Sequence, residues 1–300
     1  MRLTLALILS LSIFLTACAP ASIPETGAQA PAQSRTAGQL TASTLAPSNT
    51  AAPATATVVP ATATRSASAT PTPTMTPTPQ PAGIIQVDTL EQETYPFPEN
   101  GNCSLAEAIS AANLLKAVDG CAAGVENQTV IELMPGTYRL TRLDATPQQI
   151  EWAVHTSDVG NALPAIGRPL TIRGNGALLS RENAAEPFRI LEVLYGTLTL
   201  EDITLRGGDV GPEGWGGSIL VENASLHMTR VQVKDSKAHN GGGLCLTNGA
   251  LNIRDSLFAG NEAGFLGGGV YSTTPPINIA NTPFFGKNKD GLGGGLFRQR

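Results

Sequence analysis

Gly216-Gly217-Ser218-Ile219, Gly241-Gly242-Gly243-Leu244, Gly267-Gly268-Gly269-Val270 and Gly293-Gly294-Gly295-Leu296 are one tetrad read four times, starting 25, 26 and 26 residues apart. A second marker keeps step with it: Leu198-x-Leu200, Leu226-x-Met228, Leu251-x-Ile253 and Ile277-x-Ile279. A unit of about 25 residues, with two or three short strands and glycine corners, predicts one coil of a parallel β-solenoid. Each coil leaves bare strand edges, and the next coil stacked at about 4.8 Å satisfies them. A leucine-rich repeat has a similar period but needs L-x-x-L-x-L-x-x-N. Calcium-binding nonapeptides need G-G-x-G-x-D, and a propeller blade needs about 40 residues. The sequence carries none of these. The expected fold is all-β, a right-handed parallel β-helix over residues 129–300.

Upstream of the tetrads the strand signal continues through Val130-Ile131-Glu132-Leu133, Thr137-Tyr138-Arg139-Leu140, Leu170-Thr171-Ile172 and Leu191-Glu192-Val193. One helix is expected, at 104–116, inside an N-terminal cap over 84–128. Ser104 and Glu107 fit a capping box, in which each side chain satisfies a free backbone donor of the other. Leu105, Ala108, Ile109 and Ala112 then follow at i, i+3, i+4 and i+7, an apolar stripe suited to lying over a hydrophobic surface.

The start of the chain is different in kind. Met1-Arg2 followed by the apolar run Leu3 to Leu15 is too short to span a bilayer core of about 30 Å, so residues 1–17 read as an export signal. From 18 to 83 the composition is Pro, Thr, Ala and Ser with almost no charge, as in Pro71-Thr72-Pro73-Thr74-Met75-Thr76-Pro77. Such a segment buries too little apolar surface to offset its chain entropy and is expected to be a disordered stalk. At ~3.1 Å per residue, its roughly 63 residues from Ala19 to Pro81 would reach about 195 Å as polyproline II. In an exported protein Cys103 and Cys121, 18 residues apart, are expected to form a disulfide.

Three resemblances sharpen this reading. Leu15-Thr16-Ala17-Cys18, directly after the apolar run, resembles the bacterial lipoprotein signal, which implies that Cys18 is acylated and becomes the first mature residue. Cys103-Ser104-Leu105-Ala106-Glu107-Ala108 resembles the CSLREA motif at the head of many bacterial surface β-helix proteins, with Ala106 where that motif has Arg. The repeats resemble those of the polymorphic outer-membrane proteins, which pair a G-G-[AG]-[ILV] tetrad with F-x-x-N. Here Phe258-Ala259-Gly260-Asn261 precedes Gly267, and Phe285-Gly286-Lys287-Asn288 precedes Gly293, while the coil ending at Gly241 lacks the Phe. Together these resemblances imply a surface or secreted β-helix of pectin-lyase-like shape. They do not imply lyase activity, because a fold does not fix a function.

Aligned coils allow a search for chemistry. Four residues past each coil's first aliphatic stand Asp202, Arg230, Asp255 and Asn281, one column if the register holds, with Asp202, Arg230 and Asp255 as candidate catalytic residues. β-Helix polysaccharide lyases and hydrolases build sites from acids and Arg on adjacent coils. Inverting hydrolysis, however, needs two carboxylates about 6.5–9.5 Å apart with water between them, and Arg230 would sit in that gap. The same column therefore also reads as a solvated charge ladder. One residue past each coil's inward aliphatic stand Leu220, Cys245, Tyr271 and Phe297, an apolar strip expected to face outward, where it would be a sugar-stacking or protein-docking surface unless a loop covers it. His155, His227 and His239 are scattered, Trp152 and Trp215 lie in irregular segments, and Cys245 has no partnered His; no metal or other cofactor is expected.

Composition limits the remaining choices. A formal charge of −5 leaves no basic footprint for nucleic acid, and one short apolar run excludes a polytopic membrane protein. The expectation is a non-enzymatic lipoprotein, tethered to the membrane through Cys18, that displays a β-helix for adhesion, glycan binding or envelope architecture. Its partners would be a polysaccharide or another surface protein. The alternatives are a polysaccharide lyase or hydrolase acting at the Asp202–Asp255 column, and the front part of a longer surface protein. The last arises because Gly293 to Arg300 stops within a coil, leaving an end that a partner or further coils would cover.

Overall fold

The computed structural model describes residues 83–145, 160–182, 186–285, 288–290 and 294–299, with the backbone alone for Phe285. Cys18, the stalk, Trp152, His155 and Gly293 lie outside the described residues. Within them the chain is a β-solenoid of about five turns, mostly strand, with one helix.

Each turn adds one strand to each of several stacked parallel ladders. One ladder runs Leu191–Leu194, Ile219–Glu222, Leu244–Thr247, Val270–Ser272, Leu296–Arg298. The largest sheet runs from Ile84–Gln86 through Thr129–Glu132, Leu170–Arg181, Thr197–Arg206, Ser225–Thr229 and Leu251–Arg254 to Ile277–Ala280. Short strands Gln232–Lys234, Leu257–Ala259 and Phe284–Phe285 continue it round a corner. A third ladder pairs Lys237–Asn240 with Glu262–Leu266. A full coil thus has four short strands, more than the two or three expected.

Alternation within strands does the sorting. In Leu251–Arg254 the pattern is buried, half-buried, buried, exposed, so Leu251 and Ile253 face the interior. Register then stacks like on like: Leu198, Leu226, Leu251 and Ile277 form one interior column, and Leu200, Met228, Ile253 and Ile279 another. These columns merge into a single hydrophobic core.

Corners are set by left-handed residues that recur at the same place in each coil. Asn223 and Asn248 form one such column (φ 51 and 54), and Asp202, Arg230, Asp255 and Asn281 another (φ 48 to 54). Asn and Asp tolerate this region better than other side chains because a short polar group can bond locally. Gly216, Gly241 and Gly267 form a third column (φ 66, 63 and 68). There glycine is obligatory for a second reason: a Cβ would run into the main-chain oxygen of Ile219, Leu244 or Val270.

The F-x-x-N signal is half corrected. Phe258 is fully buried, and the residue in register with it is Phe284, whose ring stacks on it at 5.3 Å and 19°. Phe285 is in register with Ala259 instead. The later coil carries one extra residue between its inward Phe and its Asn, which spacing alone disguises. The asparagines themselves do align. Buried Asn261 donates to Val233 O (3.0 Å) and accepts from Ser236 N (3.1 Å), while Asn288 donates to Phe258 O (3.0 Å) and accepts from Asn261 N (2.9 Å). A Cβ on Gly243 would lie 3.2 Å from the Asn261 amide carbon, so the third glycine of the tetrad makes room for the asparagine.

The helix spans Leu105–Leu114, two residues shorter at its C-terminal end than expected, because Leu115 turns left-handed and ends it. Ser104 caps it and the reciprocal capping box with Glu107 is formed. Leu105 through Asn113 are all buried, in the same core as Ile85 and Ile131, so this is a helix enclosed on most sides rather than a striped one. Cys103 and Cys121 are disulfide-bonded, 4.6 Å apart at Cα. Closing an 18-residue loop restrains the unfolded chain by about 3 kcal/mol. Replacing both cysteines with serine is expected to lower the urea unfolding free energy by about that amount. An unchanged midpoint would mean that the loop is equally restrained without the bond.

Candidate functional site

Asp202, Arg230, Asp255 and Asn281 are brought together, at successive copies of one corner. Their contacts run along the stack: Arg230 Nε lies 3.9 Å from Asp202 Oδ1, and Asn281 Nδ2 donates to Asp255 Oδ1 at 3.0 Å. The Asp202 and Arg230 side chains are 54% and 57% exposed, so water screens the pair, worth under about 1 kcal/mol. Asp202 and Asp255 stand two coil spacings apart, about 10 Å, on one convex corner. Arg230 stands between them in the column, on the intervening coil. Similar rungs recur nearby. Asn248 Nδ2 donates to Asn223 Oδ1 (2.6 Å), Asn278 Nδ2 to Asn252 Oδ1 (2.9 Å), and on the flat face Arg173 bridges Glu132 (2.9 Å) and Glu201 (3.2 Å). The Glu132 hydrogen bond is the main reason the Arg173 guanidinium holds its proton more tightly than usual.

The outward apolar strip is not an open surface. Leu220, Cys245 and Tyr271 are in register, as expected, but Leu220 and Tyr271 are only 2% and 4% exposed. The residues before two of the corner glycines pack against them: Trp215 precedes Gly216 and Leu266 precedes Gly267. Trp215 meets Tyr271 edge-on at 5.7 Å, Phe297 stacks on Tyr271 at 5.9 Å, and the Tyr271 hydroxyl donates to Gln299. Leu220, Tyr271 and Phe297 therefore belong to a second, smaller core outside the coil. Trp215 is part of its cover. His239 stacks on Phe265 (5.7 Å), and His227 is half-buried on the face of the large sheet.

Continuing that strip one coil back reaches Glu192, in register with Leu220 and fully buried. Beside it lies Arg189, also fully buried. Its Nη1 donates to Asn161 Oδ1 (2.8 Å), Nη2 to Trp215 O (2.8 Å) and Nε to Gly216 O (3.1 Å), with Glu192 Oε1 3.8 Å from Nη1. Asn161 Nδ2 completes the network by donating to Glu192 Oε2 at 2.6 Å. Burial pushes the Arg189 guanidinium down, while Glu192, Cys245 and Glu222 hold its charge in place. This cluster went unread in the sequence, although the repeat carried a signal: a carboxylate heading an otherwise apolar column calls for a cationic partner.

Among the described residues no group of three or more His, Cys, Asp or Glu could hold a metal ion, and no helix is long and apolar enough to cross a membrane. The architecture places the chain among parallel β-solenoids. No protein-family model, curated protein or solved structure matches it.

Proposed function

We propose that this chain is a non-enzymatic, lipid-anchored display protein of a bacterial cell envelope. In this reading Cys18 is the acylated first residue, 18–83 is the stalk, 84–128 caps one end, and the right-handed β-helix is what the stalk presents for adhesion, glycan binding or envelope architecture. The lipoprotein-like signal and the likeness to CSLREA and polymorphic outer-membrane repeats support the address. One observation supports the non-enzymatic part: the exposed carboxylates of the corner column are each engaged by a neighbour in the stack, Asp202 by Arg230 and Asp255 by the Asn281 amide.

The test combines intact mass with a polysaccharide panel. Protein extracted from its native membranes is expected to begin at an acylated Cys18. It is expected to bind without turnover when offered uronate-containing and neutral polysaccharides. Arg230→Ala and Asp255→Ala should each cost under about 1 kcal/mol of stability, as exposed rungs do. Turnover that disappears in those variants, with the fold intact, would replace this reading with a lyase or hydrolase. An unmodified N-terminus would remove the anchor.

A further inference from the structure

We propose that Glu93 and Glu107 share one proton and so form a pH-gated clasp that holds the segment around Leu90–Glu93 against the start of the helix. Glu107 is fully buried. Its Oε2 accepts from both the backbone N–H and the hydroxyl of Ser104, each at 2.9 Å. Glu93 Oε1 accepts from Asn100 Nδ2 at 2.7 Å. That leaves Glu107 Oε1 and Glu93 Oε2, both buried and neither with an N–H or O–H partner. The two carboxyl groups are hydrogen-bonding neighbours. One proton between the two orphan oxygens satisfies all four carboxyl oxygens; without it, two negative groups face each other out of water.

Among the described residues no cation takes the proton's place. Charged and titratable groups on the packed elements are Asp88, which accepts from Cys103 N (2.7 Å), and Glu91, on the small cavity beside the pair. They also include Tyr138, which lines the same cavity with its hydroxyl bonded to the Met134 backbone, and Asp119, which accepts from Asn100 N and Gly101 N. Arg142 is turned to the Gln92 carbonyl. Burial pushes Glu107 from an ordinary 4.5 up to about 7, against the Ser104 hydrogen bonds and with the help of Glu93. The folded form thus holds the proton more tightly than the unfolded one. Its contribution is complete below about pH 4.5, declines as pH rises, and is gone above about pH 7. The clasp also ties in the first coil: Gln92 accepts from Thr141 N and donates to Ala162 O and Arg142 O.

Hydrogen exchange on the full chain tests this, read at the Asp88 and Cys103 amides, which bond across the clasp (Asp88 N to Cys103 O, 3.1 Å; Cys103 N to Asp88 Oδ1). After correction for intrinsic rates, protection is expected to fall at least tenfold between pH 5 and pH 7.5, while strand Leu251–Arg254 stays constant. Glu93→Gln supplies a permanent N–H to Glu107 and should reduce the fall to under twofold. Glu107→Gln donates in the opposite direction and should do the same, which covers the case in which one variant fails to fold. Variants that track the wild type, or a wild type with flat protection, overturn the proposal. So does millimolar calcium restoring protection at pH 7.5, since the pair would then be a cation site.

Discussion

Gly241→Ala is expected to destabilise the solenoid by about 2–4 kcal/mol, read as a lower urea midpoint at unchanged slope. The left-handed backbone is the smaller part of the cost. Arg230 and Asp255 hold φ of 54 and 49 with full side chains, so this region alone is tolerated at a corner. The larger part is contact: the new Cβ would overlap the Leu244 carbonyl oxygen, which belongs to the rigid ladder strand that follows. Gly242→Ala tests the neighbouring constraint, since its Cβ would lie 2.5 Å from Glu262 O and 2.6 Å from Gly268 O in the next coil. Asn248→Gly is the control, expected to stay within about 1 kcal/mol because its corner (φ 54) is open to side chains. Equal costs at 241 and 248 would show that the glycine columns are not what closes the turns.

Arg189→Met is expected to cost about 3–5 kcal/mol, comparable with losing the glycine corner. The substitution strips the guanidinium from a carboxylate 3.8 Å away and from the carbonyls of Trp215 and Gly216, all at a site with no access to water. Cavity formation is a minor term, because methionine fills much of the same volume. The double variant Arg189→Met/Glu192→Leu separates the two effects. Removing both charges should recover most of the loss, because a buried pair stabilises little more than a well-packed apolar one. If the double variant is as unstable as the single, Arg189 acts through its hydrogen bonds to Asn161, Trp215 and Gly216 rather than through its charge pair with Glu192.

The sequence made the coil legible because its corners are chemically strict: where only glycine avoids a main-chain clash, glycine recurs at coil spacing and the period can be read off. Short polar corners at Asn223, Asn248 and Asp255 kept the Asp202 column in register for the same reason. What stayed hidden depends on contacts that no period reports. The match Phe285-x-x-Asn288 does not reveal that Phe284 is the ring in register with Phe258, because a single inserted residue leaves F-x-x-N intact while shifting the register. Whether the strip at Leu220 and Tyr271 is covered was not legible, because nothing in the spacing says that Trp215 and Leu266 pack against it. Arg189 carried no mark in the repeat; its partners Asn161 and Trp215 stand 28 and 26 residues away. Glu107 was legible as a capping residue, but its second carboxyl neighbour, Glu93, lies in an irregular stretch with no pattern to flag it.

Asn223 and Asn248 follow equivalent strands, Ile219–Glu222 and Leu244–Thr247, with nearly the same φ (51 and 54). Excising residues 223–247 would join Glu222 to Asn248 and present the chain with the junction it already makes once. A gene for this protein can therefore gain or lose a coil by unequal recombination without a new interface being invented. Each event changes the length of the solenoid by one increment of about 4.8 Å. Length, for such a fold, is inherited as a count.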